Sequence, residues 1–151
     1  MEPIQHKIFI FDKITVYFKH TDYHGFVHPY NYFEWTSYVR EAFFQATVPT
    51  FREILNRSIK MMTVKISSSL FFDSDFGDII EARLTVGKIK KVSFDMVVRF
   101  YNIQKQKVAC ETTHTIVFVD SETAKFADIP TEMKQVIVCY EEPSRVDVAN
   151  Q

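Results

Sequence analysis

Between Pro29 and Ala46 the apolar residues recur at steps of three and four: Tyr32, Trp35, Val39, Ala42, Phe43 and Ala46, with Tyr38 beside them. That spacing predicts a helix, and with Glu34, Arg40 and Glu41 as its only charges it predicts one buried on most sides. It is the one long apolar helix this chain can make. The rest of the pattern has period two. Ile14, Val16 and Phe18 alternate with Lys13, Thr15, Tyr17 and Lys19 in a strand beginning near Lys7. Met62, Val64, Ile66, Leu70 and Phe72 alternate with Thr63, Lys65, Ser67 and Ser69, and Ile80, Ala82, Leu84 and Val86 with Glu81, Arg83 and Thr85. Two more strands are predicted over 92–103 and 107–119. Short connections favour antiparallel pairing, and a sheet with one apolar face must cover it. The expected architecture is α+β: a five-stranded antiparallel sheet curled around a long central helix.

Local signals mark the ends of these elements. Pro29 suits a first helical turn, and Asn31 with Glu34 has the spacing of a capping box. Pro49 closes the segment, and Thr50 with Glu53 forms a second capping-box pattern ahead of a short helix carrying Phe51, Ile54 and Leu55. Another short helix is predicted after Pro130. Residues 1–140 read as a single domain and 141–151 as a flexible tail.

Composition narrows the function classes. The 151 residues suffice for one core, burying roughly 70% of the unfolded surface. Fifteen Phe, seven Tyr and one Trp supply its bulk. Three glycines, Gly25, Gly77 and Gly87, cannot assemble a dinucleotide fingerprint or a Walker A loop. A formal charge of −1 gives no global pull toward nucleic acid or anionic membrane, so neither is an expected partner. Cys110 and Cys139 lie far apart and read as two buried, reduced thiols. With no signal-peptide pattern and no apolar run of about 20 residues, the expected location is cytoplasmic.

The densest group of reactive side chains is His20-Thr21-Asp22-Tyr23-His24-Gly25-Phe26-Val27-His28-Pro29, joining a strand to the start of the long helix. A helix N-terminus offers free N–H groups and partial positive charge, which together hold an oxyanion. A carboxylate beside it can act as nucleophile or general base toward a carbonyl bound there. The plainer reading has Asp22 closing the turn with its own side chain. His20, His24 and His28 recur every four residues. Thr21, Asp22 and Gly25 argue against the helix that would align them, so no metal site is expected. His114 reads as a satisfied core histidine.

The run Asp22-x-x-Gly25-x-Val27-x-x-x-Asn31-Tyr32-x-x-Trp35, continuing to Arg40, resembles the signature of the 4-hydroxybenzoyl-CoA thioesterase branch of the hotdog-fold superfamily. Ser93-Phe94, Glu111-Thr112-Thr113, Val119-Asp120 and Ile129-Pro130 follow in register, so the resemblance spans roughly residues 8–135. It implies hydrolysis of an acyl-CoA thioester, with Asp22 attacking the carbonyl or activating water and with Gly25 and Val27 in the substrate-facing loop. It also implies active sites at a dimer interface in a homodimer or homotetramer. No cofactor is expected, since CoA is part of the substrate. The alternative is a catalytically idle hotdog dimer that binds acyl-CoA or an acyl chain.

Two positions depart from that signature. The residue seven after the aspartate, whose N–H commonly serves the oxyanion in the family, is Pro29, which has none. Either Tyr30, or an amide near Gly25–Phe26, supplies the donor, or the site is weakened. A sub-branch places histidine at that same position and tyrosine four before the aspartate. Here these are Pro29 and Phe18, with His28 and Tyr17 each displaced by one. His28 either assists Asp22 or caps the helix. Lys88, Lys90 and Lys91, just before Ser93, form a basic turn suited to CoA phosphates or simply to solvent. Phe33, Met61, Met62 and Phe71 are candidates for an acyl pocket.

Overall fold

The computed structural model describes residues 6–143. In chain order the elements are β1 (Phe9–Thr15), a 3-10 turn (Phe18–His20), α1 (Tyr30–Thr47), α2 (Phe51–Leu55) and β2 (Ile59–Leu70). They continue with β3 (Ile79–Gly87), β4 (Ser93–Asn102), β5 (Lys107–Asp120) and α3 (Thr131–Ile137). The five strands form one sheet in the order β1-β3-β4-β5-β2, every neighbouring pair antiparallel. The 18-residue α1 lies across one face of it. Val39, Phe43 and Phe44 of the helix pack with Leu84, Phe94, Met96, Phe100 and Ile116 of the sheet. Phe44 stacks on Phe51 at 5.0 Å between ring centroids, which ties α2 to α1.

Where the structure departs from the sequence pattern, β-bulges and sheet edges explain most of it. β1 ends at Thr15, and Phe18 is 79% exposed in the 3-10 turn. The alternation holds for Ile14 and Val16, which turn inward, but the 3-10 turn begins at Phe18 and takes its side chain off the inner face. The extra residue between Phe11 and Ile14 lies upstream and shifts only the start of the strand. A second bulge between Thr63 and Lys65 divides β2. Met62 faces Val117 on the outer side of the sheet, whereas Ile66 faces His114 on the helix side. The five apolar residues of that segment therefore do not share one face. β2 is an edge strand, and Ile66 and Leu70 are about half exposed because α1 does not reach that far. Nor is α1 buried on most sides: Tyr30, Phe33 and Tyr38 are exposed.

Neither expected capping box forms. Pro29 precedes the first turn of α1 without a side-chain cap, and the buried Thr50 hydroxyl makes no hydrogen bond among the described residues. Cys110 is buried but Cys139 is exposed, so only one thiol fits the expected pair. The start of the expected tail is held: Glu142 N–H donates to Val86 O at 2.8 Å, and Arg99 pairs with both the Glu142 and Glu111 carboxylates. Residues 144–151 lie outside the described residues. No helix among those described is long and apolar enough to cross a membrane.

Candidate functional site

The chain between β1 and α1 folds into a tight loop closed on itself. Thr21 bridges Val27, Asp22 N–H donates to Phe26 O at 2.7 Å, and Gly25 N–H to Asp22 O at 3.0 Å. Gly25 sits at φ +81°, where a side chain strains the backbone although space around it is open. Asp22 Oδ1 accepts from the His24 N–H at 2.9 Å and the Phe26 N–H at 3.2 Å. The turn reading is thus correct for this oxygen. Oδ2 has no hydrogen-bond partner among the described residues, and the carboxylate is only partly buried. Two amides on one oxygen fix the plane of the group and leave the other free to react, so the structural and chemical readings of Asp22 are compatible.

At the start of α1 the amides are spoken for. Tyr30 N–H donates to His28 Nδ1 at 3.3 Å, Asn31 N–H to His28 O at 3.0 Å, and Tyr32 N–H to Pro29 O at 3.1 Å. The His28 ring also lies 4.8 Å from the Tyr30 ring. His28 acts as a cap in this arrangement, and among the described residues no hydrogen bond joins it to Asp22. Its bond to Tyr30 is long and exposed, so a better acceptor can displace it.

Residues that sequence reasoning left unassigned hold the loop in place. Asn31, buried, donates through Nδ2 to His20 O at 2.8 Å and His28 O at 3.0 Å, pinning both ends of the loop to the helix. Val27 N–H donates to Ser74 O at 2.9 Å, and Phe26 bridges Asp75. Ser74 in turn accepts from Asn102 Nδ2 at 3.1 Å, and Asp78 Oδ2 from the same nitrogen at 2.9 Å. Burial pushes the Asp78 carboxyl up, but the Asp75 N–H, Asn102 and Lys105 outweigh it and hold the group below its usual value. A rigid polar base therefore lies behind Asp22.

The structure does not bring every predicted site residue together. Gly25 and Val27 lie in the Asp22 loop, which rests against the start of β3 through Gly77 N–H to Val16 O at 2.9 Å. Lys88, Lys90, Lys91 and Ser93 lie beyond the other end of β3. Eight strand steps separate the two ends by roughly 26 Å. Within one protomer the basic turn does not flank Asp22. Of the acyl-pocket candidates, Met61 packs against the core, whereas Phe33, Met62 and Phe71 are exposed. No three His, Cys, Asp or Glu side chains converge as a metal-ligand set among the described residues. His114 is buried, and neither ring nitrogen has a hydrogen-bond partner among the described residues, so it is not the satisfied histidine expected.

Solved structures share this fold over nearly the whole chain. The dynemicin thioesterase superposes with a TM-score of 0.81 at 15% identity, covering 91% of this chain and 100% of its own. A Staphylococcus aureus protein solved in complex with CoA gives 0.81 at 15% identity, over 97% and 92% of the two chains. A 1,4-dihydroxy-2-naphthoyl-CoA thioesterase from Synechocystis gives 0.75 at 16% identity, over 87% and 96%. Likeness at such identities speaks for the fold alone, which is the hotdog fold. No curated protein sequence matches this chain. The family description that does match, from the end of β1 through α3 over residues 16–137, is that of the thioesterase-like superfamily, and the chain belongs to it.

Proposed function

We propose that the protein hydrolyses an acyl-CoA thioester, with Asp22 as general base or nucleophile. The observation that carries this reading is the Asp22 carboxylate itself: one oxygen anchored by two loop amides, the other without a hydrogen-bond partner among the described residues, in the loop that leads into α1. The thioester carbonyl would take the Tyr30 N–H from His28 Nδ1, gaining a donor aligned with the positive end of the helix. With Asp22 as base, water attacks the carbonyl carbon while Oδ2 takes its proton. The tetrahedral intermediate then expels the CoA thiolate, which is protonated as it leaves. With Asp22 as nucleophile, Oδ2 attacks the carbonyl carbon and the C–S bond breaks to expel the CoA thiolate; water then cleaves the resulting acyl anhydride to the free acid and the regenerated carboxylate. Neither route needs a cofactor beyond the CoA of the substrate.

The active unit in this reading is a homodimer formed through β2. A 12-residue edge strand exposes a row of backbone groups for pairing, and Ile66 and Leu70 beside it are apolar and uncovered. Pairing of two such edges buries both. Sedimentation should give twice the one-chain mass, and Ile66→Lys should shift it toward one. A wild-type monomer would remove this part of the proposal.

One observation favours a second reading, an idle dimer that binds acyl-CoA without cleaving it: the Tyr30 amide is occupied and Pro29 offers none. Chromatographic detection of CoA released from a panel of aromatic and aliphatic acyl-CoAs separates the two. Turnover on one acyl class is expected. Acyl-CoA that raises the melting temperature and stays intact would instead establish the binder.

A further inference from the structure

Resting on the thioesterase reading, we propose that the groove between β1 and α1 seats the 3′-phosphorylated ADP end of CoA. The groove has a volume of about 340 Å³, within the range of small-ligand sites, and is open to solvent. Lys13 and Lys19 line it together with Tyr17, His20, Trp35 and Tyr38. Lys13 reaches it because the bulge between Phe11 and Ile14 turns consecutive β1 residues toward the same space. Neither lysine ammonium enters an ion pair or hydrogen bond among the described residues. Two unpaired cations make a poor wall for a neutral acyl chain and a good one for phosphates. The exposed rings of Tyr17 and Tyr38 offer flat faces to a purine.

The groove is continuous with the reactive loop through His20. The His20 ring lines the groove, 5.2 Å from the Trp35 ring, while its carbonyl accepts from His28 N–H at 2.9 Å and from Asn31 Nδ2. Asp22 follows two residues later. Burial and the neighbouring Lys19 lower the His20 pKa against the opposing effect of Glu34, so the shared residue adds no charge of its own near neutrality. Other basic groups are less suited. Lys88, Lys90 and Lys91 lie at the far end of β3, Lys105 is paired with Asp75 and Asp78, and Lys107 sits 4.3 Å over the Phe72 ring.

Trp35 is the only tryptophan in the chain, so its emission reports on the groove without any chemistry. Titration with adenosine 3′,5′-bisphosphate should give a saturable change in that emission, competed by CoA and weakened by added salt. The Lys13→Glu/Lys19→Glu double variant should bind about tenfold or more weakly, with its melting curve intact, and Lys13→Arg/Lys19→Arg should restore binding. No saturable signal from a wild-type protein that still releases CoA would overturn the groove assignment. So would undiminished binding by the charge-reversed variant, or an equal response to inorganic phosphate at the same concentration. Lysine-dependent nucleotide binding with no thioester cleaved would support the groove and sink the thioesterase reading, so the two failures are distinguishable.

Discussion

Asp22→Asn should leave the loop folded and lower kcat/KM for the preferred acyl-CoA by about 10²–10⁴-fold, the usual contribution of a positioned acid–base group. The reason lies in the division of labour between the two carboxylate oxygens. Asparagine keeps a carbonyl oxygen that can accept from the His24 and Phe26 amides, so the turn retains its hydrogen bonds. Its NH2 group replaces the unpartnered Oδ2 and can neither take a proton from water nor attack a carbonyl. Asp22→Ala loses both functions, and should lower the melting temperature as well as the rate because the two amides lose their acceptor. CoA release and thermal melts on the three proteins check this. Asn turning over like wild type would remove Asp22 from the reaction. Asn and Ala melting alike would remove the anchoring role of Oδ1.

The features legible in the sequence were those set by periodicity over many residues. The Tyr32–Phe43 spacing gave α1, and alternation from Ile80 to Val86 gave a strand whose apolar members are all buried. What failed was set by single insertions or by distant contacts. The early end of β1 at Thr15 leaves Phe18 in a turn at the surface, and one extra residue in β2 puts Met62 and Ile66 on opposite faces. No local pattern announces a bulge in a strand rich in both polar and β-branched residues. The lysines of the 88–91 turn looked available because a sequence shows charge clusters but not the length of the strand between them and the loop. Asn31 had the spacing of a capping residue, yet its amide crosses to His20 O, eleven positions back. Ser74, Asn102 and Asp78 support the reactive loop from two other segments, and nothing at their own positions marks them for it.

His114 carries the other large effect, on stability in weak acid. It projects from β5 toward the helix side, across from Met96 and Ile66 in the neighbouring strands. Only 2% of it is exposed, neither ring nitrogen is paired among the described residues, and Arg40 is the charge that acts on it. Burial, and secondarily Arg40, pushes its pKa down from 6.5 to about 4. A depressed histidine is neutral when folded and takes up a proton on unfolding. Stability is therefore full above the ordinary value and is lost as pH falls from 6.5 toward 4, by up to on the order of 3 kcal/mol. The upper part of this window, above about pH 5.5, lies clear of the carboxylates, so urea midpoints there isolate the histidines, whereas lower down the lowered Asp78 and Glu142 add their own slope. His20 is lowered too and should leave a residual slope. His114→Leu, of similar volume, removes two unpaired nitrogens from the core. It should match or exceed wild type near pH 7 and lose most of the acid sensitivity. An unchanged slope in that variant would mean that His114 finds a proton acceptor when charged, and that the interior beside α1 is more accommodating than its packing implies.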